Sequence, residues 1–230
     1  MKISAVHTAA PPHYYDQEAL LAAFQAAWAT EHHNPRRVEQ LHRAVKVGGR
    51  HLALPMESYP GLTFGQANDA FVRVGTDIGA EAVSGAVAAA GLELRDVDAI
   101  FTTTVTGVAT PSIDARLVNR LRLRTDIRRV PMFGLGCVAG AAGIARVADY
   151  LAGHPDHVAV LLSVELCSLT LQRADLSIPN LIATGLFGDG AAAVVGVGAN
   201  RAVAAGMPIW PARTAMAVPR VPSRRRKVPR

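Results

Sequence analysis

Hydrophobic and polar positions along the chain follow two different spacings. Helical spacing of apolar residues predicts helices over 15–30, 36–45, 67–90, 112–123 and 138–153. Runs of β-branched and apolar residues predict strands over 97–107, 128–136, 157–166 and 190–199. Because the strands read as apolar on both faces and alternate with helices, the pattern predicts an α/β fold in which helices cover both sides of one sheet.

Composition adds that the chain can form a sizeable core and carries no export signal that we recognise. Half of the 230 residues are hydrophobic, but no stretch approaches 18 uninterrupted apolar residues, so no transmembrane span is expected. The first residues lack the continuous apolar segment of a signal peptide. Two cysteines cannot form a disulfide framework, so reduced thiols and a cytoplasmic location are expected.

The net charge of +6 is concentrated at one end of the chain. Residues 201–230 hold eight of the 24 basic side chains and none of the 18 acidic ones, so residues 1–200 carry a net charge of −2. The end segment also contains five prolines and loses apolar periodicity. This predicts a globular domain over 1–200 and a solvated, disordered basic tail over 201–230, without a specific nucleic-acid or membrane partner.

The segment FGLGCVAGAAG, residues 133–143, places Cys137 in a glycine turn between a predicted strand and a predicted helix. Unpaired backbone N–H groups and the positive helix dipole at that position favour the thiolate, which is the nucleophilic form. A cysteine in a turn rich in small residues is also common as inert packing. From these residues alone, both interpretations remain open.

Four segments together carry a family resemblance. They are TTTVTGVATPS (102–112), GLGCVAGAAG (134–143), LLSVELCSLT (161–170) and GLFGDGAAAVV (185–195). In this order and spacing they resemble the type III polyketide synthases, the chalcone-synthase-like branch of the thiolase fold, and above all its bacterial members. The resemblance implies a thiolase-like layered α-β-α fold, with residues 1–200 as the first half of a duplicated unit.

The family's chemistry is iterative acyl transfer. A starter acyl-CoA loads onto a cysteine, malonyl-CoA units are decarboxylated and condensed onto it, and the chain cyclises. The resemblance implies that Cys137 is the loading nucleophile and that Phe187 is the aromatic residue over the malonyl unit, where an apolar ring disfavours the carboxylate. It implies no cofactor and no metal, with acyl-CoA and malonyl-CoA as substrates and a homodimer as the assembly. Asp189 is expected to fix the turn rather than to do chemistry.

Further positions match the family's chain-elongation cavity: Val105, Thr106, Thr110, Glu165, Cys167 and Thr170. Plant members carry threonine where this chain has Val105 and Cys167. The valine makes the pocket of this chain more apolar, which favours a fatty or alkyl starter over an aromatic one. Thr110 matches a residue that the family inserts into the partner subunit's cavity. For Cys167, a pocket-lining thiol and a small core residue remain equal alternatives.

The family binds CoA through basic side chains of its N-terminal helical segment. Arg37 and Arg43 are the nearest matches, with Lys46 and Arg50 behind them. Guanidinium groups suit phosphates because they can donate two parallel hydrogen bonds. A solvated basic helix face explains the same residues equally well.

The chain departs from the family in its catalytic set. The family pairs the cysteine with a His and an Asn from its C-terminal half, but no histidine follows His157 here. The sequence after about residue 201 matches nothing in the family. This loss of similarity resembles a truncation or a shifted reading frame. The His and Asn side chains are the oxyanion donors of the family, and each is worth about 3 to 4 kcal/mol of transition-state stabilisation. Without them, this chain alone is expected to be inactive in condensation.

Two other interpretations compete. A ketoacyl synthase of the fatty-acid branch shares the fold and the cysteine, although the GLFGDGAAA context favours the polyketide branch. A remnant that binds acyl groups or a protein partner without catalysis is the alternative outside enzymes.

Overall fold

A five-stranded mixed sheet forms the centre of the structure. The structure is a computed structural model, and it describes residues 1–27, 35–172, 174–175 and 177–204. The strands are Lys2–Ala9 (β1), His13–Asp16 (β2), Gly49–Leu52 (β3), Ala99–Thr104 (β4), Arg128–Phe133 (β5), Val158–Leu166 (β6) and Asp189–Val197 (β7). The large sheet has the order β1-β7-β6-β4-β5, while β2 and β3 form a separate antiparallel pair. Strand β4 runs parallel to β5 and β6, and β7 is antiparallel to both of its neighbours.

Helices connect the strands and cover the sheet. They are Gln17–Ala27 (α1), Pro35–Ala44 (α2), Phe64–Ala89 (α3), Ile113–Leu121 (α4), Ala139–Gly153 (α5), Ile178–Leu186 (α6) and Ala199–Ala204 (α7). The five predicted helices are confirmed to within a few residues, except that 28–30 lie outside the described residues. The crossovers through α4 and α5 explain why β4, β5 and β6 are parallel.

The two faces of the sheet bury different helices. Alternate residues of β4 show this, because Ile100 packs in the cluster that contains Leu117 of α4 and Val83 of α3. Phe101 points the other way and packs in the cluster that contains Val147 of α5. The predicted layered α/β fold is therefore confirmed, with α3 and α4 on one face and α5 on the other.

Helix α3 starts earlier than its apolar pattern predicts because Thr63 caps it. The Thr63 side chain accepts a hydrogen bond from the Gln66 backbone N–H, and the Gln66 side chain accepts one from the Thr63 backbone N–H. This reciprocal capping box satisfies two donors at the helix start. By contrast, Ser112 precedes α4 but its side chain makes no capping hydrogen bond.

The sequence pattern missed or misassigned several strands. Tyr15 and Asp16 belong to β2 rather than to the first helix. Strand β1, which borders the sheet opposite β5, was not predicted because its polar alternation is weak. Strand β5 is mostly exposed rather than buried on both faces, and it forms the other edge of the sheet, where a proline such as that at 131 is tolerated.

The ordered fold runs past the predicted boundary at residue 200. Ala202 of α7 is buried in the main core, and the Arg201 guanidinium donates to Asp96 at 2.9 Å. The rest of the predicted tail, 205–230, lies outside the described residues. Among the described residues, no helix is both long and apolar enough to cross a membrane.

Candidate active site

A largely apolar cavity of about 790 Å³ opens at the carboxyl ends of the parallel strands β4 and β6. This is the edge at which open α/β sheets bind ligands, because the loops after parallel strands converge there. Seven residues predicted from the sequence line it: Val105, Thr106, Cys137, Glu165, Cys167, Thr170 and Phe187. Segments that are far apart in the chain therefore meet at one site.

Cys137 lies on an exposed turn between β5 and α5, on the wall of this cavity. Gly134 and Gly136 adopt φ values of +87° and +57°, in the left-handed region that only glycine enters without strain. Cys137 itself lies in a short 3₁₀ turn, and α5 begins two residues later at Ala139 without a side-chain cap. The structure thus confirms the predicted placement of Cys137 at the start of a helix.

The glycine requirement of this turn can be tested separately from its chemistry. A Cβ added at Gly136 meets no atom within 4 Å, so Gly136→Ala introduces only backbone strain. We expect it to lower the free energy of unfolding by about 1 to 2 kcal/mol. Gly140→Ala is the matched control, because Gly140 is helical and equally uncrowded, so it should be neutral or stabilising by up to about 1 kcal/mol. Urea denaturation that ranks the two variants in the opposite order would contradict this account.

Glu165 anchors the turn after β4. Its carboxylate accepts hydrogen bonds from the Val105 backbone N–H at 3.2 Å and from the Thr106 hydroxyl at 2.8 Å. The Thr106 oxygen in turn accepts from the Leu166 backbone N–H at 2.8 Å. Glu165 therefore fixes the wall that carries Val105 and Thr106, and its acceptor sites are largely used for that purpose.

Cys167 is half-buried at the end of β6 and lines the same cavity. Burial, and then the neighbouring Asp189 and Glu165 carboxylates, raise the pKa of its thiol to about 12. A thiol with such a pKa stays protonated at neutral pH and is a poor nucleophile. Of the two alternatives that the sequence left open, the pocket-lining thiol is the one that the structure supports.

Phe187 follows directly after α6, is 45% exposed and lines the cavity. Its carbonyl oxygen accepts a hydrogen bond from the Arg50 guanidinium at 3.1 Å. Two residues later, the buried Asp189 carboxylate accepts from the backbone N–H groups of Ala53 at 2.6 Å and Ser168 at 2.8 Å. The FGDG turn is thus tied to the segment after β3 and to the end of β6, which gives Asp189 the expected turn-fixing contacts.

The network around Asp189 extends along the cavity wall through hydroxyl groups. The Ser168 hydroxyl also bonds the Asp189 carboxylate, and it lies 2.6 Å from the Tyr59 hydroxyl. Burial is the main reason that the pKa of Asp189 rises to about 6 and the pKa of Tyr59 to about 12. Both side chains have most of their hydrogen-bonding capacity occupied, which suits a supporting role.

Three predicted site residues do not line this cavity. Thr110 is exposed and lies on a separate depression beside α3 and α4. Arg37 and Arg43 lie on the outer surface of α2, where Arg43 forms ion pairs with Glu18 at 2.6 Å and with Glu39 at 3.0 Å. The contacts of Arg43 fit the alternative of a solvated helix face.

Sequence reasoning underestimated Arg50, which it placed only behind the other basic residues. Arg50 is 5% exposed and lines the cavity. No clear sequence signal identified Arg50, because β3, the strand that places it on one face with Leu52, has only four residues and was not predicted. None of the histidines in the described part of the chain lines the cavity, and the described residues hold no cluster of three or more metal-ligating side chains.

Comparisons with known proteins agree with this geometry. Residues 1–201 match the family model of chalcone and stilbene synthases, N-terminal domain. The chain is 55% identical over 199 residues to a 1,3,6,8-tetrahydroxynaphthalene synthase of Streptomyces peucetius subsp. caesius, covering 86% of this chain and 52% of the relative. It is 30% identical over 190 residues to a phloroglucinol synthase of Pseudomonas fluorescens, covering 82% and 54%. The chain thus spans about half the length of these relatives.

Solved structures give the same result. The crystal structure of 1,3,6,8-tetrahydroxynaphthalene synthase from Streptomyces coelicolor A3(2), a bacterial type III polyketide synthase, superposes with a TM-score of 0.81 at 29% identity. The match covers 86% of this chain and 57% of that one. The sequence motifs, the thiolase-like fold and the family match all lead to one conclusion: this chain belongs to the chalcone and stilbene synthases, and it carries their N-terminal domain.

Proposed function

We propose that this chain provides the acyl-loading part of a type III polyketide synthase active site. In the proposed reaction, the Cys137 sulfur attacks the carbonyl carbon of an acyl-CoA thioester and the CoA thiolate leaves, so that a new thioester forms on the cysteine. A malonyl-CoA unit then loses CO2, and the resulting carbanion attacks that thioester and frees the cysteine. The product class is a polyhydroxylated aromatic compound, as the names of the relatives suggest.

One observation carries the proposal. An exposed cysteine at the start of a helix lies on the wall of an apolar cavity that is large enough for a growing chain. The volume of about 790 Å³ falls within the range of roughly 300 to 1,000 Å³ typical of small-molecule sites. The family match over 1–201 supports the role of the cysteine.

The proposal separates loading from condensation. Loading requires a thiolate and a pocket for the acyl chain. Residues on the cavity wall of this chain would supply both. Condensation also requires oxyanion donors. The only asparagine that lines the cavity, among the described residues, is Asn180, and its amide already donates to the carbonyls of Gln172 and Asp175. We therefore expect loading, rather than polyketide release, from this chain by itself.

The test is self-acylation. The purified 230-residue chain, incubated with hexanoyl-CoA or acetyl-CoA, should gain one acyl mass that maps to the Cys137 peptide. Cys137→Ala should abolish the adduct, whereas Cys167→Ala should retain it. An acyl group on Cys167, or a loss of adduct in Cys167→Ala with its fold intact, would refute the assignment of the nucleophile.

We also propose a homodimer that uses the β5 edge of the sheet. Strand β5 leaves Val130 and Phe133 37% and 64% exposed, and the exposed Leu135 and Val138 follow at once. An unpaired edge strand with a row of exposed apolar side chains is typical of an interaction surface. The exposed Thr110, which the family directs into the partner subunit, accords with such an arrangement.

Charge placed on the β5 edge should weaken this association. Phe133→Glu is expected to raise the dimer dissociation constant about 10-fold or more, because it places a carboxylate in an apolar contact. Val6→Glu is the matched control, since Val6 is 56% exposed on β1 at the opposite edge of the same sheet. Sedimentation velocity over a concentration series measures both. Equal effects of the two variants, or a monomeric parent chain, would contradict the proposed interface.

A further inference from the structure

Arg50 occupies an unusual position for a charged side chain. It lies on β3, is 5% exposed, and contributes to the wall of the apolar cavity that also contains Cys137 and Phe187. Buried charges in proteins are normally paired, because the free energy cost of removing them from water is high. The partners of this guanidinium therefore indicate whether it serves the fold alone.

The hydrogen bonds of Arg50 leave most of its donors unused. Its Nη1 donates to the Phe187 carbonyl oxygen at 3.1 Å. Its Nε is buried and has no hydrogen-bond partner in the part of the chain that the structure describes. Among the described residues, no carboxylate oxygen lies within the 4.0 Å of an ion pair with Arg50. A guanidinium has five N–H donors, so one neutral acceptor leaves this one far from satisfied.

Two carboxylates are near enough to influence the site, but both are occupied. Asp189 accepts hydrogen bonds from the backbone of Ala53 and Ser168 and from the Ser168 hydroxyl. Glu165 accepts from the segment after β4. Burial lowers the pKa of Arg50, while Asp189 and then Cys167 act in the opposite direction. Asp189 thus favours the charged form of Arg50 without satisfying its donors.

We propose that Arg50 binds the free carboxylate of a dicarboxylic acyl thioester, such as malonyl-CoA, within the cavity. The inference rests on the proposed function, because it concerns a substrate of the same site. A guanidinium and a carboxylate match geometrically and form two parallel charge-assisted hydrogen bonds. Because Arg50 already holds the backbone of Phe187, the bound carboxylate lies beside the aromatic residue assigned to the malonyl unit.

A carboxylate fits this place better than a phosphate. The rest of the wall is mainly apolar, which suits one small planar anion at the end of an acyl chain. The interaction is present before CO2 is lost, so it stabilises the bound substrate rather than the transition state. Arg50 therefore selects malonyl over acetyl thioesters, and its contribution is expected in binding affinity.

The experiment compares the binding of malonyl-CoA and acetyl-CoA by calorimetry. The full chain carries Cys137→Ala, so that no acyl group is transferred during the titration. With Arg50 present, malonyl-CoA should bind about 10-fold tighter than acetyl-CoA or more, as a charge-assisted hydrogen bond allows. Arg50→Gln should bring malonyl-CoA to the affinity of acetyl-CoA and leave the latter unchanged. Arg146→Gln, at an exposed arginine on α5, is the matched control and should keep the preference.

The alternative outcomes are distinct. If Arg50→Gln weakens both thioesters equally, the guanidinium binds a CoA phosphate and the inference is wrong, although the proposed function stands. If neither thioester binds the parent chain, the proposed function fails and the inference fails with it. Should Arg50→Gln not fold, as circular dichroism would show, Arg50→Lys decides the question. That variant keeps the charge and should keep a reduced malonyl preference, and an unchanged or absent preference would overturn the inference.

Discussion

Iodoacetamide at neutral pH will alkylate Cys137 about 100-fold faster than Cys167 or more. Only the thiolate reacts, and burial near two carboxylates raises the pKa of Cys167 to about 12. Relative to an ordinary thiol with a pKa of about 8.5, that value lowers the thiolate fraction roughly 3,000-fold at neutral pH. Cys137 is exposed while Cys167 is half-buried, so access adds to the difference.

Peptide mapping by mass spectrometry over time measures both rates in one sample. The control is the same chain in urea, where the surroundings of both thiols are lost and the two rates should converge. A native chain that labels Cys167 first, or that labels both thiols equally slowly, would contradict an accessible and reactive Cys137. Raising the pH should increase the Cys167 rate steadily, because its thiolate fraction grows tenfold with each pH unit below its pKa.

Replacing Asp189 by alanine will destabilise the chain by an amount on the order of 4 kcal/mol. The carboxylate is 7% exposed and accepts from the Ala53 and Ser168 backbone N–H groups and from the Ser168 hydroxyl. Alanine leaves these buried donors without an acceptor, which costs about 1 to 3 kcal/mol for each group. Asp149→Ala is the matched control, because that exposed carboxylate forms a surface ion pair with Arg146 and should contribute less than about 1 kcal/mol.

The same residue makes stability depend on pH in a defined direction. The folded state raises the pKa of Asp189 from 3.8 to about 6, chiefly through burial. The carboxyl group therefore stabilises the fold most below 3.8, and this contribution is lost as the pH rises through about 6. In urea denaturation, the advantage of the parent chain over Asp189→Asn should shrink between about pH 4 and pH 7. Titrations common to both chains cancel, so an advantage that grows with pH would contradict the raised pKa.

The hydrogen-bonded wall that Asp189 organises supports the proposed chemistry indirectly. The turn that carries Phe187 is held by Arg50 on one side and by Ser168 on the other, through Asp189. The loading turn with Cys137 depends instead on backbone conformation at two glycines. Stability measurements at Gly136 and Asp189 therefore probe two independent supports of one cavity.

The sequence alone was sufficient for the parts of this protein that depend on local patterns. Helices α3, α4 and α5 have apolar residues at helical spacing, and strands β4, β6 and β7 are near-continuous apolar runs because they lie inside the sheet with largely buried faces. The glycine turn before Cys137 was readable because few residues other than glycine tolerate its backbone angles. The four motifs, in their order and spacing, predicted the family, its cavity residues and the position of Phe187.

Short and peripheral elements could not be predicted from the sequence pattern in the same way. Strands β2 and β3 have four residues each, and β5 is an exposed edge, so burial leaves little pattern in them. Helix α6 was missed because its segment contains proline, asparagine and glycine, although Ser177 caps it by accepting from the Asn180 backbone N–H. In these cases tertiary contacts, rather than propensity, select the structure.

Only the tertiary structure decided which polar groups meet at the site. Arg50 and Arg43 are only seven residues apart, yet one enters the cavity and the other pairs with Glu18 and Glu39 on the surface. Likewise, Asp189 reaches Ala53 across 136 positions of chain. Whether a charge is buried, paired or left with unused donors depends on such long-range neighbours, and local sequence does not encode them.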